Sequence, residues 1–251
     1  MSLNIFYHLV FNLIFDLKQF MKKIIFHKPK LKDKRINSLR RNGFLKLNWS
    51  DIFNENHEKS ALFKKIKSQA NYLYDYSIDA KSKDKDKYVI FGSKVLTINP
   101  DPHLVALGHN KNLIKLINGY FEKPCHLYGA DYWLHKPSKG ERFSAQLWHR
   151  DPEGKKIIKL FLIIKDVGLS NGPTEFIKQS HRTSKNFFLR NIYRNKTNTP
   201  SNVCEKIIKE KKGELFISEG KSGDIILLDT SGFHRGGYCE QERLIANLTY
   251  F

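Results

Sequence analysis

The chain has 251 residues, 40% of them hydrophobic, and a formal net charge of +19. This length and composition predict one large globular domain or two small ones, and exclude a disordered or collagen-like chain. Three cysteines with no Cys-x-x-Cys pair argue against a disulfide framework and a cysteine zinc site, and favour a cytoplasmic location. No run of 18 apolar residues occurs, so we expect no membrane span.

The positive charge has two competing explanations. One is an anionic partner, such as nucleic acid, a membrane surface or a phosphorylated substrate. The other is composition, because 34 of the 44 basic residues are lysine, and Lys, Asn and Ile are encoded by A/T-rich codons. We favour composition, because the excess lysines are not confined to one patch.

The N-terminal region has its own character. Residues 3–17 are apolar except at every fourth position, which predicts an amphipathic helix, and a basic run follows. Residues 1–47 carry a net charge of +9. We therefore predict a first unit, residues 1–35, of helix and basic linker. We favour a helix packed on the domain over weak peripheral binding to an anionic membrane surface.

A helical part, residues 36–120, opens the second predicted unit, residues 36–251. Its apolar spacing and turn signals predict the elements in chain order. They are a helix, a break at Gly43 and a strand within Arg35–Leu47, a helix at Lys59–Tyr76, a solvated loop at Lys81–Lys87, a strand at Tyr88–Ile98, and a helix from the Asn99–Pro102 turn to about Tyr120.

The pattern changes in residues 121–251, where short apolar runs alternate with turn signals. Seven short strands at this spacing predict an antiparallel sandwich or barrel, with the basic stretch 182–212 as an insertion. The predicted strands are Cys125–Leu134, Ser144–Asp151, Lys155–Val167, Thr174–Ile177, Glu214–Ile217, Asp224–Asp229 and Arg243–Phe251.

The candidate chemistry lies at the end of the second of these strands. His149 and Asp151 stand at i and i+2, so on a strand they project to the same face. His234 follows a later strand in a glycine-rich turn, and it would complete a two-histidine, one-carboxylate metal site with open positions. A single His-x-Asp is a weak signal, and the alternative is an ordinary histidine beside a solvated aspartate.

Several motifs surround these three residues. They are QLWHRD (146–151), IIKLFLIIKDV (157–167), NGPTEFIKQSH (171–181), GDIILLD (223–229), His234 and Arg243. On these motifs the chain, from about Ile36 to Phe251, resembles the phytanoyl-CoA dioxygenase family of iron(II)/2-oxoglutarate oxygenases. The resemblance implies a double-stranded β-helix, a distorted cupin-like jelly roll with helices outside, in an α+β protein with a mainly β core. It also implies that His149, Asp151 and His234 bind Fe(II).

The resemblance also implies a 2-oxoglutarate site. Arg243, nine residues after His234, matches the family arginine that pairs with the far carboxylate, and a guanidinium fork suits a carboxylate. Lys94, Tyr132 and Phe161 stand at family positions beside the cosubstrate. For each of these three, a purely structural role is an equally acceptable interpretation.

The match to the family pattern has departures. Gly236 replaces a serine two residues after the distal histidine, and Lys178-Gln179 replaces a Pro-Gly pair, which puts the shape of that turn in doubt. Asp151 is intact, whereas related halogenases have a small residue at this position, so the expected reaction is hydroxylation. The resemblance therefore implies O2-dependent hydroxylation of an unactivated C–H bond in a small or carrier-linked metabolite, with release of succinate and CO2. An anionic substrate is a weak preference.

Two other functions compete. A nucleic-acid dealkylating dioxygenase would use the charge, but it usually shows Arg-x-Asn-x-Thr-x-Arg after the distal histidine. Here Asn247 and Thr249 are present and Phe251 replaces the final arginine, so we do not expect a nucleic-acid partner. A non-catalytic binding module on the same fold usually lacks a metal ligand, and all three are present.

Overall fold

The computed structural model describes residues 33–78, 88–96, 100–138, 141–192, 200–210 and 212–251. Lys34–Phe251 pack as one unit, and the predicted domain boundary at residue 35 falls in its first helix. The predicted N-terminal amphipathic helix and the Lys81–Lys87 loop lie outside the described residues. No helix in the described ranges is both long enough and apolar enough to cross a membrane.

Seven helices are found in the described part of the chain. Three of them begin at side-chain caps, because the side chains of Asp101, Asn110 and Asn186 accept hydrogen bonds from backbone N–H groups of the first turn. The helices are α1 (Lys34–Asn42), α2 (Ser50–Phe53), α3 (Ala61–Ile78), α4 (Pro102–Gly108), α5 (Lys111–Phe121), α6 (Phe187–Asn191) and α7 (Ser201–Lys209).

Nine strands form two antiparallel sheets in the same residues. The six-stranded sheet has the order β1-β7-β4-β9-β3-β2, and the three-stranded sheet has the order β6-β5-β8. The strands are β1 (Phe44–Asn48), β2 (Val89–Phe91), β3 (Leu127–His135), β4 (Ile158–Ile163), β5 (Glu175–Ile177), β6 (Leu215–Ile217), β7 (Asp224–Asp229), β8 (His234–Arg235) and β9 (Arg243–Tyr250).

The six-stranded sheet is buried on both faces. Successive side chains of a strand point to opposite faces, so alternate residues of one strand pack in different clusters. Leu160, Leu162 and other residues of one face pack in a large core that includes the helices. Phe161, Ile163 and Ile245, on the other face, pack with Phe176 of β5. We call this second cluster the interior cluster, because it lies between the two sheets.

The prediction of a mainly β core with several helices is confirmed. Three element predictions are wrong. The strand expected at Tyr88–Ile98 is only Val89–Phe91 and is followed by a 3-10 turn, Gly92–Lys94. The single helix expected up to Tyr120 is two helices, because Asn110 caps a new helix after the end of α4. The strand expected at Ser144–Asp151 is a 3-10 turn, Ser144–Gln146, followed by one bridge at His149.

Candidate metal centre

Backbone pairing brings the three predicted ligands together. His149 and His234 form an antiparallel bridge in which each N–H donates to the carbonyl of the other at 3.0 Å. The N–H of Asp151 donates to the carbonyl of Thr230 at 2.9 Å. The segment that carries His149 and Asp151 is therefore held against the start of β8 by hydrogen bonds that do not depend on a metal.

The ligand atoms of these residues converge. One ligand atom from each of His149, Asp151 and His234 can be chosen so that all lie within 4.8 Å of one another. Asp151 Oδ1 is 3.9 Å from His149 Nε2 and 3.7 Å from His234 Nε2. Two imidazole nitrogens and one carboxylate oxygen in this arrangement suit a divalent transition metal.

The other nitrogen of each imidazole has a carbonyl partner. His149 Nδ1 lies 2.7 Å from the carbonyl oxygen of Leu147, and His234 Nδ1 lies 3.0 Å from that of Gly232. A carbonyl only accepts, so each Nδ1 carries the proton, and the Nε2 lone pairs are free. Such contacts orient metal-binding histidines in known sites, and both were missed by sequence reasoning.

The electrostatics of the cluster favour the protonation states that a metal requires. Burial, together with nearby His149, lowers the pKa of His234, so its imidazole is neutral at neutral pH. Burial alone would raise the pKa of Asp151, but the electrostatic interaction with His234 and the ammonium of Lys159 lower it. Asp151 is therefore an anion at neutral pH, as a metal ligand must be.

Arg150, the one residue between His149 and Asp151, extends away from the metal ligands. Arg150 is fully buried and donates to the carbonyls of Ser180, Leu189 and Ser231, the last of which lies in the loop before His234. Its guanidinium also lies 3.8 Å from the ring centroid of Phe233. This side chain therefore ties the His149 segment to the loop that precedes the second histidine.

Sequence reasoning missed a lysine beside the metal ligands. The Nζ of Lys159, on β4, is 2.7 Å from Asp151 Oδ2. Lys159 stands two residues before Phe161, so both project from the same face of β4 towards the interior cluster. That alternation was visible in the sequence, but the distance to Asp151 was not.

Arg243 is a buried cation at the start of β9, on the same strand face as Ile245 of the interior cluster. One of its terminal nitrogens donates to the carbonyl of Gly172, while its Nε is buried without a hydrogen-bond partner. Within the described ranges, no carboxylate forms an ion pair with it. A buried charge without a counter-ion is costly, so the site suits a bound anion.

The other three predicted cosubstrate residues are in different surroundings. Phe161 lies in the interior cluster, on the face of the sheet that carries Arg243. Tyr132 packs in the core that includes the helices, on the opposite face of β3 from Trp133. Lys94 is exposed in the 3-10 turn Gly92–Lys94. Of these three residues, only Phe161 therefore lies in the interior cluster between the two sheets.

The turn that departs from the family pattern keeps an unusual backbone. Gln179 has a φ of 62°, in the left-handed region that glycine adopts most easily. Its N–H donates to the carbonyl of Asn42 at 2.9 Å, which ties the turn to the end of α1. The turn therefore contains a left-handed residue although it has no glycine at this position.

Comparison with known proteins shows similarity of structure without similarity of sequence. No family model and no curated protein matches the chain. AviO1 from Streptomyces viridochromogenes Tue57 matches with a TM-score of 0.58 and 17% identity over 89% of this chain and 96% of that chain. EctD from S. alaskensis, crystallised with 2-oxoglutarate and 5-hydroxyectoine, matches with a TM-score of 0.60 and 18% identity over 90% and 77%.

The chain has the fold of these enzymes. A third match, the epimerase SnoN in complex with Fe3+, alpha ketoglutarate and nogalamycin RO, has a TM-score of 0.58 and 13% identity over 87% of this chain and 82% of that chain. The matched structures therefore include proteins crystallised with iron and with 2-oxoglutarate. At these identities the comparison establishes the cupin-like fold, and function must be argued from the residues of the site.

Proposed function

We propose that the chain is an iron(II)- and 2-oxoglutarate-dependent oxygenase of the phytanoyl-CoA dioxygenase type, with its two sheets forming a double-stranded β-helix. The observation that carries this proposal is the convergence of His149, Asp151 and His234 within 4.8 Å. Their donor set fits Fe(II), because two neutral imidazoles and one carboxylate leave positions for a cosubstrate and O2.

The cosubstrate assignment rests on Arg243. Its buried guanidinium lacks a carboxylate partner in the described ranges and retains an unpartnered Nε, so it can bind the far carboxylate of 2-oxoglutarate. Phe161 would bound the cosubstrate from the interior cluster. We leave Lys94 and Tyr132 out of the proposed site, because they do not lie with these residues.

The residues of the chain orient the metal ligands. The backbone bridge and the two carbonyl contacts hold His149 and His234 so that their Nε2 atoms converge. Arg150 fixes the segment that contains His149 and Asp151. Iron, when bound with O2 and 2-oxoglutarate, supplies the oxidising chemistry that hydroxylates a C–H bond, with release of succinate and CO2. The substrate is proposed to be a small or carrier-linked metabolite.

The test is formation of succinate from 2-oxoglutarate with Fe(II) and O2, across a panel of acyl-CoA, amino-acid and sugar-nucleotide candidates. His149→Ala and Asp151→Ala are expected to abolish it. His109→Ala, at an exposed histidine beyond α4, is the matched control and should leave it unchanged. Full activity in both ligand variants would overturn the proposal. A product that is epimerised or cyclised would show that the reaction is not hydroxylation and would leave the rest of the proposal unchanged.

A further inference from the structure

The two carboxylate oxygens of Asp151 face different partners. Oδ1 is directed at the two imidazoles, 3.9 Å from His149 Nε2 and 3.7 Å from His234 Nε2. Oδ2 forms an ion pair with Lys159, whose Nζ lies 2.7 Å away. The side chains of Asp151 and Lys159 are 10% and 20% exposed, so this ion pair lies largely out of water.

Lys159 is held on a rigid element. It lies in β4, at the centre of the six-stranded sheet, opposite Leu228 of β7 and Thr249 of β9. Its Nζ is 6.0 Å from the ring centroid of Trp133, close enough for a weak cation–π attraction. The ammonium is therefore placed by sheet pairing as well as by Asp151.

A carboxylate can bind a metal through one oxygen or through both. An ammonium that occupies Oδ2 leaves Oδ1 for the metal, and its positive charge opposes a metal that approaches Oδ2. We propose that Lys159 is a positioning residue that restricts Asp151 to coordination through Oδ1 and so keeps one more metal position open. This inference rests on the proposed function, because it requires a metal at the three ligands.

A positioning role and a purely structural role of Lys159 predict opposite changes in metal affinity when the lysine is removed. If the lysine only supported the fold, its loss would disorder Asp151 and weaken metal binding. If it keeps Oδ2 away from the metal, its loss frees a second oxygen and removes a nearby positive charge. Metal binding would then become stronger, while the number of water-filled positions on the metal would fall.

The experiment uses Mn2+ alone as the probe. Free Mn2+ is measured by electron paramagnetic resonance, and the water bound to protein-held Mn2+ is measured by water proton relaxation. Lys159→Met is expected to bind Mn2+ about tenfold more tightly and to lower the relaxation effect by about a third, as one of three open positions closes. Lys159→Gln should likewise raise the Mn2+ affinity and lower the relaxation effect. Lys159→Arg should resemble the wild type.

Lys46→Met is the matched control, because Lys46 Nζ pairs with Asp224 Oδ2 at 3.0 Å in the same sheet, away from the three ligands. Its Mn2+ affinity and relaxation effect should equal those of the wild type. Thermal unfolding without Mn2+ shows whether Lys159→Met or Lys159→Gln is folded, and a folded variant is used for the comparison. Unchanged or weaker Mn2+ binding in that folded variant would overturn the inference.

Failure of the proposed function has a different signature. It would show as a wild-type protein that does not bind Mn2+, or as an Asp151→Ala variant that binds it equally well. In either case the metal site itself is wrong, whatever Lys159 does.

Discussion

At the scale of single residues, the site consists of groups whose partners are assigned before a metal arrives. His149 Nδ1 and His234 Nδ1 contact carbonyl oxygens, and Asp151 Oδ2 contacts an ammonium. The atoms left over, two Nε2 and one Oδ1, are those that converge. Such preorganisation avoids reorienting the side chains when a metal binds.

Arg243 gives a prediction at the same scale. Arg243→Gln removes the buried guanidinium, and we expect the KM for 2-oxoglutarate to rise at least about a hundredfold, because charge-assisted hydrogen bonds to the far carboxylate are lost. Steady-state kinetics with varied 2-oxoglutarate measure the effect, and Mn2+ affinity should be unchanged.

The matched control for that experiment is Arg40→Gln, since Arg40 pairs with Glu122 at 3.2 Å on the helical side of the fold. It should leave the KM near the wild-type value. An Arg243→Gln variant with an ordinary KM would show that the cosubstrate binds elsewhere.

At the scale of elements, the loop between β7 and β8 leads to one of the metal ligands, His234, and is fastened at its start. Asp229 ends β7, and its carboxylate accepts the hydroxyl hydrogen of Tyr120 from α5 and the N–H of Ser231. Burial and the negative charge of Asp229 raise the pKa of Tyr120 well above its ordinary value, so the phenol stays protonated and donates. A helix outside the sheet thereby supports the loop that leads to His234.

Tyr120→Phe tests this link. Loss of a donor to a buried carboxylate should lower the free energy of unfolding by about 2 kcal/mol. Urea unfolding measures it. Tyr250→Phe is the matched control, because the equally buried Tyr250 hydroxyl donates to a neutral carbonyl, that of Gly108, at 3.0 Å, so we expect a loss of about 1 kcal/mol. Equal losses in the two variants would contradict a special role for Asp229.

At the scale of the whole molecule, stability should depend on pH through buried histidines. Burial and the nearby charge of Arg243 lower the pKa of His135 well below its ordinary value. The folded state therefore keeps this imidazole neutral, while the unfolded chain takes up a proton below about pH 6.5. Stability is complete above that pH and falls as the pH decreases.

His135→Gln isolates this contribution. Between pH 7.5 and pH 5.5 the wild type should lose about 1.3 kcal/mol more unfolding free energy than the variant, since one proton is bound only by the unfolded wild-type chain. Urea unfolding at both pH values measures the difference. The same pH dependence in the two proteins would show that His135 does not contribute.

Much of the fold and part of the site could be predicted from the sequence. Apolar runs between turn signals predicted β7 at its observed bounds, Asp224–Asp229, and β9 to within one residue. The i and i+2 spacing of His149 and Asp151 suggested a shared face, and the place of His234 in a glycine-rich turn after a later strand suggested the third ligand. The strand predictions succeed because strand periodicity is a property of neighbouring residues.

The tertiary structure decided which residues meet. Lys159 and Tyr132 each stand on a predicted strand, yet Lys159 contacts a metal ligand and Tyr132 packs in the core that includes the helices. The segment after Ser144 becomes a turn and a bridge because it pairs with a strand of only two residues. Alternation is local, but the face that becomes interior depends on pairing between segments far apart in the chain, which no local pattern records.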